Sequence, residues 1–189
     1  MGRWQPDAQG RLVKAAMELY AKKGFDETTV AEIAARAGLT ERTFFRYFAD
    51  KREVLFGGSE DLTAVLVADV GGAPPGASPL DVVAGALGRV GALLQEHRGR
   101  TFARRRQRIL TQNPELQERE LIKMASWSAA VGRALRARGV DEPQASLTAE
   151  AGLAAFRVAF AQWVSPKDRH ELPELIAASI EELRRVAAA

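Results

Sequence analysis

The sequence predicts an all-α fold, and three observations carry that prediction. Ala, Leu, Arg and Glu, all good helix formers, dominate the 189 residues, and only 7% are aromatic. Alternating runs of Val, Ile and Thr are nearly absent. Apolar residues instead recur three and four positions apart, the spacing that lines one side of a helix. With 47% of residues hydrophobic, the chain is able to bury a sizeable core.

Element by element, Asp7 is placed to cap a first helix over 7–23, with Leu12, Ala16, Leu19 and Tyr20 as its buried stripe and Gly24 just past its end. In "TTVAEIAARAG", Thr29 and Glu32 form a capping box for a short helix that turns Val30, Ile33, Ala34 and Ala37 to one side and stops at Gly38. Thr40 caps a third helix running through "ERTFFRYF" to near Ala49. A second capping box, Asp50 with Glu53, predicts a fourth helix from there to about Val70. Two short helices joined by a glycine turn and flanked by longer ones make a helix-turn-helix.

"GGAPPGASP", residues 71–79, cannot continue a helix and is expected as a loop. Five helices are expected beyond it, over 80–97, 99–112, 115–138, 143–164 and 171–187. The division that follows is a three-helix N-terminal helix-turn-helix domain over 1–56 and a C-terminal helical bundle over 57–189.

The third helix has two faces. At about 100° per residue, Phe44 and Phe48 fall on one side and Arg42 and Arg46 on the other. The rings seat the helix on its neighbours, and the arginines are left outside. A B-DNA major groove admits an α-helix, and the guanidinium fork matches the two acceptors of guanine. Arg42 and Arg46 are therefore candidates for base or phosphate contacts, with Thr43 adding a hydroxyl or methyl and the Tyr47 hydroxyl reaching a phosphate from the side. Lys51, read as lying in the first turn of the fourth helix, makes a candidate phosphate clamp with that helix terminus. Solvated arginines over an ordinary core are the plain alternative.

Other chemistries find little support. With no cysteine there is no disulfide, thiolate metal site or thiol nucleophile. The two histidines, His97 and His170, sit beside charged residues without metal-binding or triad spacing, and no phosphate loop or nucleophile elbow occurs. Neither catalytic nor metal-ligating residues, nor a cofactor, are expected. "MGRWQPDAQGR" lacks a leader's apolar segment and no long apolar run follows, so a soluble cytoplasmic protein without membrane contact is expected. A net charge of +3 is too small to argue for nucleic acid on its own.

Residues 12–56, with Gly24-Phe25, Thr29-Val30, Ile33-Ala34, Ala37-Gly38-Leu39, "TFFRYF" and Lys51 in register, resemble the N-terminal domain of TetR-family transcriptional regulators. The resemblance implies an operator-binding regulator, usually a repressor. It places Tyr47 and Lys51 at phosphates, Thr29 and Thr40 at helix starts facing the backbone, and Glu41, Arg42, Thr43 and Arg46 at bases. The family pattern more often has Tyr at the place of Phe45 and His at that of Arg46, so the operator sequence is not carried over. Residues 104–139 are similar to the C-terminal domain of the mycofactocin-regulator subgroup, which implies a small hydrophobic or acyl-CoA-like effector.

In that second domain the resemblance implies a pocket for which Leu94, Phe102, Arg105, Ile109, Met124, Trp127, Phe156 and Phe160 are the candidate lining. The six arginines from Arg98 to Arg108 are either a solvated face or a receiver for ligand phosphates. Gly85, Gly88 and Gly91 allow close packing or leave room for an acyl chain. Large apolar residues from Leu147 to Leu183 exceed what one bundle needs. With the family pattern, they predict a homodimer through the two C-terminal helices and a pseudo-palindromic double-stranded DNA operator.

Overall fold

The computed structural model describes residues 7–188. The remaining residues, 1–6 and Ala189, lie outside the described residues, and with them most of the segment that argues against a leader. Among the described residues there are nine α-helices, one 3-10 turn and no strand. Asp7 opens α1 (Ala8–Lys23) by accepting the Gly10 amide at 2.8 Å, and Gly24, at φ +92°, closes it. Thr29 and Glu32 form the expected capping box on α2 (Val30–Arg36). Gly38, at φ +65°, makes the left-handed exit that leads to α3 (Glu41–Tyr47), capped by Thr40.

The fourth helix is not continuous. Asp50 Oδ1 does accept the amides of Arg52 at 2.8 Å and Glu53 at 3.1 Å, but the result is one 3-10 turn, Glu53–Phe56. Gly57 and Gly58 then break the chain, Gly58 at φ +81°, before α4 (Ser59–Gly72) begins. A capping side chain satisfies amides equally well at the start of one turn or of four, and the glycine pair decided the length. After the loop follow α5 (Pro79–His97), with Ser78 as N-cap and Pro79 in the first turn, and α6 (Gly99–Thr111). Next come α7 (Pro114–Ala137), α8 (Gln144–Trp163) and α9 (Leu172–Ala188).

The chain divides into two compact units. The first holds the chain up to Ser59 together with Arg105–Gln117, and the second Glu60–Arg104 with Glu118–Ala189. In the first, Leu12, Ala16, Tyr20, Ile33, Phe44 and Phe48 are buried, as are Val54, Leu55 and Phe56 of the 3-10 turn. Leu19, expected in the buried stripe, is only half-buried. Arg106 fastens the later segment to this core: its Nε donates to Leu55 O at 2.7 Å and its guanidinium lies 5.0 Å over the Phe56 ring.

The second unit packs α8 and α9 on α5 around a core that includes Val83, Leu87, Val90, Leu135, Phe156 and Ile176. Most of the large residues that look surplus in the sequence are consumed here: Leu153, Phe156, Trp163, Leu175, Ile176 and Ile180 are all buried within the unit. The surplus on α8 shrinks to Leu147 and Val158, 65% and 61% exposed. Two glycines make this packing possible. A Cβ on Gly91 would stand 2.6 Å from Ile176 Cδ1, and one on Gly152 would stand 2.5 Å from Val83 Cγ1. Gly85 and Gly88 have nothing within 4 Å, so of the three glycines in α5 only Gly91 serves packing.

This yields a paired expectation. Gly152→Ala forces Val83 aside and lowers stability by about 1–3 kcal/mol, an overpacking cost that outweighs the helix-propensity gain. Gly85→Ala, in open space, raises stability by up to about 1 kcal/mol. Urea denaturation of the two variants checks the opposite signs.

Candidate DNA-binding surface

Local sequence sets the pose of α3. Thr40 Oγ1 accepts the Thr43 amide at 3.2 Å and lies 3.0 Å from the Thr43 hydroxyl, so both threonines are spent on starting the helix. Phe44 and Phe48, 0% and 4% exposed, anchor it with ring centroids 5.6 Å apart. Burying each ring contributes about 2–3 kcal/mol, which holds the backbone against one fixed support. The opposite side presents Glu41, Arg42 and Arg46, all exposed. Arg42 makes no hydrogen bond or ion pair among the described residues. Arg46 stacks 4.9 Å over the Tyr47 ring and donates to its hydroxyl at 3.1 Å. Phe45, 55% exposed and edge-on to Phe44, widens this surface with an apolar ring that the candidate residues did not include. Its departure from the family's usual tyrosine was the available signal.

The supporting helices are tied to each other by charge. Glu18 accepts Arg36 at 2.5 Å, and Lys23 reaches both oxygens of Glu32 at 2.5 and 2.6 Å. The Lys23 ammonium, followed by the amide and hydroxyl of Thr29, holds the Glu32 carboxyl down to about 2. Arg36 likewise holds Glu18 below the usual carboxylate range. The Thr29 hydroxyl donates to Glu32 Oε2 at 2.9 Å and accepts the Glu32 amide at 3.2 Å, leaving its side chain committed to the cap of α2 while still exposed. Arg11, from α1, donates to the carbonyls of Ala37 and Gly38 and so fixes the turn between α2 and α3.

Lys51 departs from its expected setting. No helix begins at Lys51, so the anion clamp built from a lysine and a helix terminus is not formed. Its ammonium donates instead to three main-chain carbonyls, Phe25 O and Asp26 O at 2.9 Å each and Thr28 O at 3.1 Å, and stands 4.5 Å over the Phe25 ring. Tyr20 completes the arrangement by donating to Lys51 O at 2.6 Å, and burial, with the charge of Asp50 adding to it, pushes its phenol up. A lysine has three protons, and all three are used on the loop between α1 and α2.

The expected ligand residues do not gather in one unit. Arg105, exposed, and Ile109, buried, belong to the first unit, whereas Leu94, Phe102, Met124, Trp127, Phe156 and Phe160 belong to the second. Within the second, Trp127, Phe156, Phe160 and Trp163 form a row of rings with centroids 5.9, 6.1 and 5.7 Å apart. Three arginines of the run are tied to main-chain carbonyls, while Arg105 and Arg108 are exposed. Arg100 donates to the carbonyls of Asp168 and His170, Arg104 to those of Val164 and Ser165, and Arg106 to that of Leu55. Carbonyls left over at the end of α8 attract cationic donors, and a count of arginines along the chain does not reveal that demand. Among the described residues no group of His, Cys, Asp and Glu is arranged to hold a metal, and no helix is long and apolar enough to cross a membrane.

Comparison with known proteins agrees with this architecture. Residues 12–56 match the family described as bacterial regulatory proteins, tetR family, and residues 77–188 match the MftR C-terminal domain. TcmR, an HTH-type transcriptional regulator of Streptomyces glaucescens, is 37% identical over 84 residues, covering 42% of this chain and 37% of TcmR. The protein named as mycofactocin biosynthesis transcriptional regulator MftR, from Mycobacterium tuberculosis, is 28% identical over 133 residues, covering 70% of this chain and 66% of its own. The matched stretches thus span less than two thirds of either relative. Among solved structures, Thermus thermophilus FadR in complex with lauroyl-CoA aligns over 93% of both chains at TM-score 0.54 and 22% identity. SmeT, repressor of a Stenotrophomonas maltophilia multidrug efflux pump, aligns over 94% of this chain and 89% of its own at TM-score 0.61 and 17% identity. At those identities the solved structures speak for the fold alone. With its two segments matched at 12–56 and 77–188, the chain belongs to the TetR family of bacterial regulatory proteins, and its C-terminal domain is of the MftR type.

Proposed function

We propose that this regulator binds a pseudo-palindromic operator as a homodimer, represses transcription from it in the cytoplasm, and is released by a small hydrophobic or acyl-CoA-like effector. In this reading residues 1–56 read DNA, and residues 57–189 bind the effector and form the dimer. The observation that carries the proposal is α3 itself, with both phenylalanines sunk in the core and Arg42, Arg46, Phe45 and Tyr47 held outward on the same two turns. A rigid helix with an arginine-rich outer face is what a major groove accepts. Support for the dimer comes from α8, where Leu147, Ala151, Ala154 and Val158 recur at helical spacing outside the buried stripe. Support for the effector class comes from neighbours crystallised with lauroyl-CoA and with triclosan.

Selection from random double-stranded DNA, followed by binding at fixed salt, tests the reading. It predicts enrichment of a two-fold-related site bound about a thousandfold or more tighter than scrambled sequence, with two chains per site. Uniform, salt-sensitive binding without an enriched site would instead leave an acyl- or lipid-binding protein with a vestigial helix-turn-helix.

A further inference from the structure

Trp163, at the last position of α8, is 1% exposed, and its indole Nε1 is buried with no acceptor within hydrogen-bonding distance among the described residues. An indole N–H removed from water and left without an acceptor is costly, and buried Trp donors nearly always find one. Trp163 ends the aromatic row that continues through Phe160, and Leu94, Phe160 and Val164 are among the partly buried apolar residues packed on the same core. At the same end of α8, Arg104 holds Val164 O and Ser165 O, and Arg100 holds Asp168 O and His170 O. Arg100, so held, stands 5.6 Å over the Trp163 ring, fixing the indole in place.

From this we infer that Trp163 Nε1 is the polar anchor of the effector site, donating to a neutral carbonyl oxygen on an otherwise apolar molecule that lies against Phe160. The inference deepens the effector-binding reading above and rests on it. Both guanidiniums at this end of α8, those of Arg100 and Arg104, are held by two main-chain carbonyls each. The Trp163 indole N–H is a single neutral donor, and a carboxylate or phosphate resting on it alone would not recover its hydration. A ketone, ester or thioester oxygen needs only the single donor present. The remainder of the molecule meets ring and aliphatic surface.

Two probes matched in size separate the carbonyl from the apolar body: 2-acetylnaphthalene and 2-ethylnaphthalene. In proton–nitrogen spectra of the full-length protein, the Trp163 indole signal is assigned as the one missing in W163F, and by elimination with W4F and W127F. The ketone moves that signal downfield and binds about tenfold tighter than the hydrocarbon, the net value of one well-made hydrogen bond. In W163F the two probes bind equally. An unmoved Trp163 signal at ketone saturation, equal affinities in the wild-type protein, or no binding of either probe overturns the assignment. Operator release by other apolar compounds with Trp163 unmoved sinks this site and leaves the regulator standing. A shifted Trp163 signal in a protein that selects no operator does the reverse.

Discussion

Arg46→Ala lowers affinity for the selected operator by about tenfold to a hundredfold, Arg42→Ala by less, and the double variant loses most of the discrimination between operator and scrambled DNA. The scale is that of bidentate arginine–guanine contacts, about 1–3 kcal/mol each. The order comes from the structure. Arg46 is already stacked on Tyr47 and tethered to its hydroxyl at 3.1 Å, so it brings a partly ordered fork to the groove. Arg42 has no partner among the described residues and must surrender about 1.5–2 kcal/mol of side-chain freedom to make the same contact. Both side chains are exposed, and neither change should move stability by more than about 0.5 kcal/mol. Arg46→Lys separates the fork from the charge: it restores little specificity where the contact is bidentate. Titration of operator and scrambled duplexes at one salt concentration reads all of this. Equal losses on both duplexes would assign the arginines to phosphates rather than bases.

Lys51→Met unfolds the first unit more easily, by about 2–4 kcal/mol. The ammonium serves three carbonyls between Phe25 and Thr28, and hydrogen bonds to a charged donor are worth about 1.5–3 kcal/mol each before discounting for the part that water replaces. Thr28, whose hydroxyl donates to Gly24 O at 2.7 Å, and the Tyr20 hydroxyl on Lys51 O belong to the same knot, so the damage spreads to the entry of α2. The family expectation for this position is a phosphate contact, and the two roles have different signatures. If Lys51 binds a phosphate, its removal reduces the slope of log affinity against log salt by about 0.9 and leaves the melting temperature alone. If Lys51 is a structural tie, its removal lowers the melting temperature and leaves the slope of the folded protein unchanged. Thermal melts together with a salt titration decide between them.

Much of this molecule is legible in its sequence because helical signals are local. Asp7, Thr29 and Thr40 all cap the helices that they precede, and the Gly38 turn lies where a left-handed residue is required. The faces of α3 follow from angle alone, since a residue's side of a helix depends only on its position along it. Where two local signals compete, reading them one at a time fails. Asp50 and Glu53 promise a long fourth helix, and the Gly57-Gly58 pair just beyond reduces it to one turn. In the sequence Phe45 stands out only as a departure from a family pattern, while its 55% exposure marks it as part of the surface.

The fold class, the capped helices and the division of α3 into an anchored and an outward face were determined by the sequence itself, because each rests on residues within one or two turns of each other. The destinations of the long cationic side chains were not. Lys51 reaches carbonyls 23 to 26 positions away, and Arg100 reaches across 68 and 70. Those carbonyls become available only where a helix ends or a loop passes, and which cation arrives is settled by how the helices pack. The same packing buries Trp163 and leaves its N–H without an acceptor among the described residues, a consequence of long-range arrangement that no spacing along the chain encodes.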